Sequence, residues 1–148
     1  MLDIHTSKQR HMNMAAIRGK DTKPEIIVRK YLHRKGYRFR LNIKRLPGSP
    51  DIVLRRLHTV ILVNGCFWHK GCKYFVMPKT NTEFWESKIR RNQARDLRVR
   101  SELTAQGWNV IQIWECQLKP KVREATLASL QRTLSQIEIG LISVTPYI

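Results

Sequence analysis

Hydrophobic and polar residues recur along the chain with two periods, and changes between them mark the elements. Apolar residues at helical spacing follow Thr22-Lys-Pro-Glu25, a capping-box sequence with proline in the first turn. They predict a helix that ends at Gly36. Residues 37–42 alternate between apolar and polar, which predicts a half-buried strand. A turn at 46–50 and a short strand at 51–54 follow.

Two later segments are apolar without alternation, which is typical of strands covered on both faces: residues 59–63 and 108–114. Between them a second capping sequence, Thr80-Asn-Thr-Glu83, predicts a long helix that ends near Gly107. A final amphipathic helix carries apolar residues at helical spacing: Val122, Leu127, Leu130, Leu134 and Ile137. The order α-β-β-β-α-β-α predicts an α/β fold, a mixed central sheet flanked by helices. We expect one domain over residues 22–139, preceded by a basic arm and followed by a short tail from residue 140.

The net charge of the chain limits the classes of molecule that it is expected to bind. Its 148 residues carry 28 Lys and Arg against 11 Asp and Glu, a net charge of +17 spread along the whole length. Each phosphate that a cation neutralises releases counterions, so this balance favours nucleic acid over an anionic membrane. No apolar run reaches membrane-spanning length. An odd number of cysteines without a secretory pattern predicts reduced thiols and a cytoplasmic protein.

Residues 64–72, Asn-Gly-Cys-Phe-Trp-His-Lys-Gly-Cys, have the spacing of a metal-binding loop. Cys66 and Cys72 lie in this loop and Cys116 follows the last strand, so the three offer thiolate ligands to zinc. Unpaired buried cysteines are the alternative. His69 is the only histidine in the loop, and the fourth ligand therefore remains open.

Two aromatic residues, Phe67 and Trp68, interrupt the same loop. In most loops such a pair folds into the core. On a rigid metal clip of a basic protein, the pair can instead stack on bases or insert between them, with Trp85 beside it.

Carboxylates provide a second candidate chemistry. Asp51 follows a proline and opens an apolar strand next to residues 59–63. It either ends a turn or, with an oxygen ligand from the neighbouring strand, holds a hard cation such as Mg²⁺. Glu25 fits the N3 position of its capping box and is also a candidate catalytic residue.

One face of the long helix mixes apolar and polar residues. The face consists of Trp85, Ile89, Asn92, Asp96, Val99 and Leu103, spaced four and three apart. Either the face tilts so that Asn92 and Asp96 reach solvent, or both point into a polar site at the sheet edge. In such a site a carboxylate can hold a histidine in one tautomer and favour its protonated form.

Together these residues resemble the very short patch repair (Vsr) endonucleases, the mismatch-nicking enzymes of bacteria. The similar stretches are Asn13-Met14, Ile17-Arg-Gly-Lys-Asp-Thr22, Leu46-Pro-Gly-Ser-Pro-Asp51, Gly65-Cys-Phe-Trp-His69, Pro78-Lys-Thr-Asn-Thr-Glu-Phe-Trp85, Asn92, Arg95-Asp96, Gly107-Trp108 and Trp114-Glu-Cys116. The stretches at residues 65–69 and 78–85 are highly specific for this family.

The resemblance implies a restriction-endonuclease-like fold of the PD-(D/E)XK type that uses Mg²⁺ to nick duplex DNA 5′ to the thymine of a T·G mismatch. The implied catalytic residues are Asp51 and His69, with Asp96 supporting the site; Asn64 and Glu25 are further catalytic candidates. Mg²⁺ is implied on Asp51 and the Val63 carbonyl, and structural zinc on Cys66, Cys72 and Cys116. The implied DNA contacts are Met14 from the minor groove and the wedge Phe67, Trp68 and Trp85 from the major groove; Arg18 and Asn92 are further candidate DNA contacts. We expect a monomer in the bacterial cytoplasm, with other mismatch-repair proteins as further partners and no membrane.

The chain departs from the family pattern at two places. Asn64 stands where the family often has histidine, so His69 must act alone or with metal-bound water. The loop is also short, with Lys70 and Gly71 where a histidine normally precedes the second cysteine. Zinc then takes an outside ligand or water, or it takes His69. The alternatives are a restriction endonuclease that cuts matched duplex on this scaffold, and a catalytically impaired, zinc-stapled DNA-binding protein.

Overall fold

A computed structural model of the chain describes residues 22–66 and 76–140. Four strands occur within these residues: β1 (Arg40–Leu41), β2 (Ile52–Leu54), β3 (Thr59–Asn64) and β4 (Asn109–Trp114). The same part of the chain forms three α-helices, α1 (Lys23–Arg34), α2 (Thr82–Ala105) and α3 (Arg123–Glu138), and a 3₁₀ turn at Glu115–Leu118. The order of elements is the one that the sequence predicts.

The strands form one mixed sheet in the order β1-β2-β3-β4. β1, β2 and β3 are antiparallel neighbours, whereas β3 and β4 run parallel, with α2 as the connection between them. The register places Asn64 opposite Trp114, so β3 and β4 end at the same edge of the sheet. Cys66 and Cys116 each follow, by two residues, the strand that ends at this edge.

Successive side chains of a strand point to opposite faces of the sheet, and β3 and β4 are apolar on both. Helices therefore cover both faces. On one face α1 and α3 pack against Ile61, Val63 and their neighbours. On the other face Val60 and Leu62 form a second cluster with Leu103 of α2. The predicted mixed sheet with two covered faces is therefore confirmed. No helix in the described ranges is long and apolar enough to cross a membrane.

Three local predictions are wrong. β1 spans two residues instead of 37–42, and at its C-terminal end Asn42 adopts a left-handed conformation (φ 49°) that ends the extended chain. Helix α2 is capped by Asn81 (φ 56°) and not by Thr80, and Asn81 makes no side-chain cap bond. Val122 is the N-cap of α3 and is 44% exposed, so it lies outside the apolar stripe of that helix.

Candidate active site

The turn that precedes β2 delivers the Asp51 carboxylate to the end of β3. Because the two strands run antiparallel, Asp51 at the start of β2 lies near the last residues of β3. The Val63 backbone N–H donates a hydrogen bond to Oδ2 of Asp51 at 2.7 Å. The two residues expected to provide oxygen ligands for Mg²⁺ are therefore neighbours in the fold.

A second carboxylate, that of Glu25, reaches the same place from α1. The Glu25 side chain is buried and accepts a hydrogen bond from Arg29 Nη2 at 3.0 Å. It also hydrogen-bonds with Asp51 and acts on it electrostatically. Thr22 Oγ1 accepts from the Glu25 N–H at 3.4 Å, so the Thr22 half of the capping box forms. The carboxylate itself belongs to the Asp51 cluster, which places Glu25 among the candidate site residues.

The surroundings of Asp51 disfavour the ionised form of its carboxyl group. Burial raises the pKa of Asp51 to about 7; the Val63 N–H opposes that rise, Glu25 adds to it, and Arg29 opposes it. Two adjoining carboxyl groups out of water favour a cation between them, since like charges resist simultaneous ionisation. Carboxylate and backbone oxygens are the ligands of hard cations, so the donor set fits Mg²⁺.

The mixed face of α2 turns toward the protein. Ile89 and Leu103 are buried, while Asn92 and Asp96 in its middle are half-buried. Burial raises the pKa of Asp96, and the positive charges of Arg95 and Arg100 oppose that rise. The two polar residues are therefore neither packed into the core nor fully turned to solvent.

A close approach that sequence reasoning missed connects α2 to the Asp51 turn. Gly48 has a left-handed backbone (φ +72°), and a Cβ added there would lie 2.5 Å from Cγ1 of Val99. Val99 follows Asp96 by three residues, about one helical turn. Glycine at position 48 thus allows the turn before Asp51 to rest on the helix that carries Asp96. The only sequence signal was a glycine within a proline-rich turn.

The fold brings together two of the three cysteines expected to bind zinc. Cys66 is 4% exposed, and its Sγ accepts a hydrogen bond from the Cys116 backbone N–H at 3.1 Å. Within the described residues, no group of three or more His, Cys, Asp or Glu side chains forms a metal site. Thiolates are soft ligands of the kind that zinc takes, so two cysteines brought to one place fit one side of a zinc site.

Several predicted site residues lie outside the residues that the structure describes: Met14, Arg18, Phe67, Trp68, His69 and Cys72. Asn64 is described and is half-buried as the last residue of β3, at the sheet edge that leads to Cys66.

An aromatic pair lies at the start of α2. Trp85 is half-buried, and the neighbouring Phe84 is 53% exposed. Their ring centroids are 5.2 Å apart in an edge-to-face arrangement. The Lys88 ammonium lies 5.5 Å from the Trp85 centroid and 5.9 Å from that of Phe84. Sequence reasoning named Trp85 but missed Phe84 and Lys88, which give this end of the helix an exposed aromatic and cationic surface.

Comparison with known proteins gives a consistent result. The family model "DNA mismatch endonuclease Vsr" matches residues 2–74. The type II nicking enzyme V.NmeAIP of Neisseria meningitidis is 47% identical over 82% of this chain and 87% of its own length. V.XorIIP of Xanthomonas oryzae, also a type II nicking enzyme, is 45% identical over 80% and 88%. The DNA mismatch endonuclease Vsr of Escherichia coli is 40% identical over 89% and 85%.

All three relatives are DNA endonucleases by name. The chain belongs to the Vsr family of DNA mismatch endonucleases. The family resemblance expected from the motifs is confirmed, and membership implies the restriction-endonuclease-like fold, with which the mixed four-stranded sheet agrees.

Proposed function

We propose that the protein is a Mg²⁺-dependent endonuclease that nicks one strand of duplex DNA 5′ to the thymine of a T·G mismatch. Such an enzyme acts after deamination of 5-methylcytosine. The observation that carries the proposal is the Asp51 carboxylate, held by the Val63 amide against a buried glutamate where β3 and β4 end. Membership in the Vsr family supports the choice of a DNA mismatch as substrate.

Asp51 and the Val63 carbonyl are the groups that would hold the metal. Bound Mg²⁺ supplies a Lewis acid that stabilises charge on the phosphate and lowers the pKa of a coordinated water. Arg29 pairs with Glu25 at 3.0 Å and so fixes the second carboxylate beside Asp51. The chain itself thus binds and orients the metal-holding groups from two elements, α1 and the start of β2.

Proton transfer falls to His69 in this proposal. Asn64 can hydrogen-bond a phosphate or a water but cannot exchange a proton at neutral pH. The neighbouring loop contains one histidine, and Asp96 on the inward face of α2 would favour its protonated form. Zinc on Cys66, Cys72 and Cys116 would keep the loop rigid, with His69 left for catalysis.

DNA recognition in the proposal combines charge and a wedge. The net charge of +17 provides phosphate affinity without sequence preference. Phe67, Trp68 and Trp85 would enter the stack from the major groove and Met14 from the minor groove. Insertion costs unstacking energy, and that cost is lower at a T·G pair, which already stacks imperfectly.

The relatives argue against the two other functions. V.NmeAIP and V.XorIIP are named nicking enzymes, which favours cleavage of one strand over the double-strand cut of a restriction endonuclease. A protein that only binds DNA has no need for a carboxyl pair held out of water, since such a pair costs stability without a cation.

Replacement of Asp51 tests the proposal. Asp51→Ala should lower the nicking rate of a T·G duplex at least about a hundredfold, because several kcal/mol of transition-state stabilisation depend on the metal. Affinity for the same duplex should stay within about threefold, since no phosphate contact is removed. Glu124→Ala, an exposed carboxylate of α3, is the matched control and should nick as the wild type does. Residual nicking by Asp51→Ala within about tenfold of wild type would show that the metal is held elsewhere.

A further inference from the structure

Three arginines of α2 form a single stripe on its surface. Arg91, Arg95 and Arg98 are spaced four and three residues apart, so they lie one above another on one side of the helix. All three side chains are exposed. Each immediately precedes a residue of the inward face, and the stripe therefore borders the half-buried Asn92 and Asp96 along their length.

No ion pair among the described residues neutralises the charge of the stripe, although Arg95 acts electrostatically on Asp96. Ion pairs among the described residues join other arginines to carboxylates: Arg29 to Glu25, Arg56 to Glu138 and Arg90 to Glu86. None of these pairs includes a residue of the stripe. Like charges three and four residues apart destabilise a helix, so the arrangement has a cost in the free protein. A polyanion on this side of α2 would remove that cost.

The position of the stripe along α2 indicates on which side of the mismatch it would contact the duplex. Exposed Phe84 and half-buried Trp85 lie in the first turns of α2, and the stripe begins about two turns later. From Arg91 to Arg98 the helix rises about 10 Å, at roughly 1.5 Å a residue. That rise is close to the roughly 12 Å width of the major groove of B-DNA. With the wedge at the mismatch, the stripe would lie against the duplex to one side of it.

We propose that Arg91, Arg95 and Arg98 bind backbone phosphates of the duplex on one flank of the mismatch, the flank toward the C-terminal end of α2. The proposal rests on the proposed function, because it places the mismatch at the N-terminal end of the same helix. The stripe then fixes the direction in which the enzyme lies on its substrate. Exposed guanidinium groups are suited to this role, since their planar donors match phosphate oxygens in pairs.

The salt dependence of binding tests the stripe. The variant Arg91→Gln/Arg95→Gln/Arg98→Gln is compared with Lys30→Gln/Arg34→Gln/Arg132→Gln, which removes the same charge from exposed positions of α1 and α3, on the opposite face of the sheet. Affinity for a T·G duplex is measured by fluorescence anisotropy over a series of KCl concentrations. The stripe variant should lower the slope of log affinity against log salt by about 2–3, at roughly 0.9 for each lost phosphate contact. The control should keep the wild-type slope.

Shortened duplexes test the direction. Wild-type affinity should fall when the arm that the stripe contacts is cut to a few base pairs. It should stay the same when the arm on the other side of the mismatch is cut. The stripe variant should no longer respond to loss of the first arm. A second variant, Arg91→Gln/Arg98→Gln, leaves Arg95 beside Asp96 and should show the same pattern with a smaller slope change.

Equal slopes for the stripe variant and its control would overturn the proposal, and so would equal sensitivity of the wild type to both arms. A stripe variant that binds DNA as the wild type does would instead indicate an acidic protein as the partner of this surface. If the wild type fails to nick the T·G duplex while the stripe variant still loses slope, the proposed function is wrong and the phosphate-binding surface stands. Thermal melts of both triple variants show that each is folded.

Discussion

Asp51 differs from an exposed aspartate in its proton affinity. Burial opposes its charge and Glu25 lies beside it, which together outweigh the Val63 N–H and Arg29 and raise its pKa to about 7. The folded protein without metal therefore prefers the protonated carboxyl. A group whose pKa is raised on folding contributes stability below its unfolded pKa, and that contribution is lost as the pH rises through the folded value.

Metal-free protein should accordingly become less stable between about pH 4 and about pH 7, the interval between the unfolded and folded pKa of Asp51. The free energy of unfolding, measured by urea denaturation in the presence of a chelator across this range, checks the prediction. Asp51→Asn mimics the protonated carboxyl and should remove most of the decline. Mg²⁺ should restore wild-type stability at pH 7 and leave Asp51→Asn unchanged. A wild-type stability that rises from pH 4 to pH 7, with the same slope in the variant, would contradict this account.

Single residues differ in how far the sequence predicts them. The position of Asp51 beside β3 could be predicted, because Asp51 opens an apolar strand next to residues 59–63, whereas its role as a metal ligand stays a prediction. Glu25 was a candidate, but its contact with Asp51 could not be predicted, because the capping box also explains a glutamate at its position. Gly48 could not either, since the need for a missing side chain arises from Val99, which is far away in the sequence.

At the scale of elements, the contact between the 46–50 turn and α2 sets the position of Asp51 relative to Asp96. Gly48→Ala should destabilise the protein by about 2–4 kcal/mol, because a left-handed alanine is strained and its Cβ overlaps the Val99 side chain. Val99→Ala should cost less in this variant than in the wild type, since it removes the overlap. Urea denaturation of the two single variants and the double variant measures this coupling. Additive effects to within about 0.5 kcal/mol would show that the two residues do not meet.

The link between the ends of β3 and β4 is the second contact between elements that bears on function. Cys116→Ser should lose zinc and melt at a markedly lower temperature, because structural zinc contributes to folding directly. His69→Ala should retain zinc and melt near the wild type if the histidine is catalytic. Elemental analysis and thermal melts check both. Wild-type protein purified without chelator and found free of zinc would contradict the first prediction. A zinc-depleted His69→Ala variant would show that His69 is a zinc ligand.

Elements with strong patterns could be predicted, and those set by backbone conformation could not. β3 and β4 lie between two helical layers, so their sequences are apolar throughout and easily recognised. The end of β1 and the start of α2 coincide with left-handed backbones at Asn42 and Asn81. Such conformations are occasional choices of asparagine that a hydrophobic pattern does not report.

For the whole molecule, the sheet and its helices carry the candidate site residues on elements that are distant in the chain. α1 contributes Glu25 from one face, the start of β2 contributes Asp51, and α2 carries Asp96 on the other face. The fold class could be predicted from the order of elements, whereas the DNA endonuclease activity follows from family membership. We propose that this framework forms a metal-dependent, strand-specific nuclease.

Cleavage of end-labelled duplexes tests this proposal, because it shows which strand is cut and where. Matched and T·G-mismatched duplexes, with either strand labelled, are incubated with the protein in Mg²⁺ or in chelator, and the products are resolved to single nucleotides. We expect one nick, in the strand that contains the mismatched thymine and directly 5′ to it, only with Mg²⁺. Cleavage of both strands, equal cleavage of the matched duplex, or undiminished cleavage in chelator would contradict it.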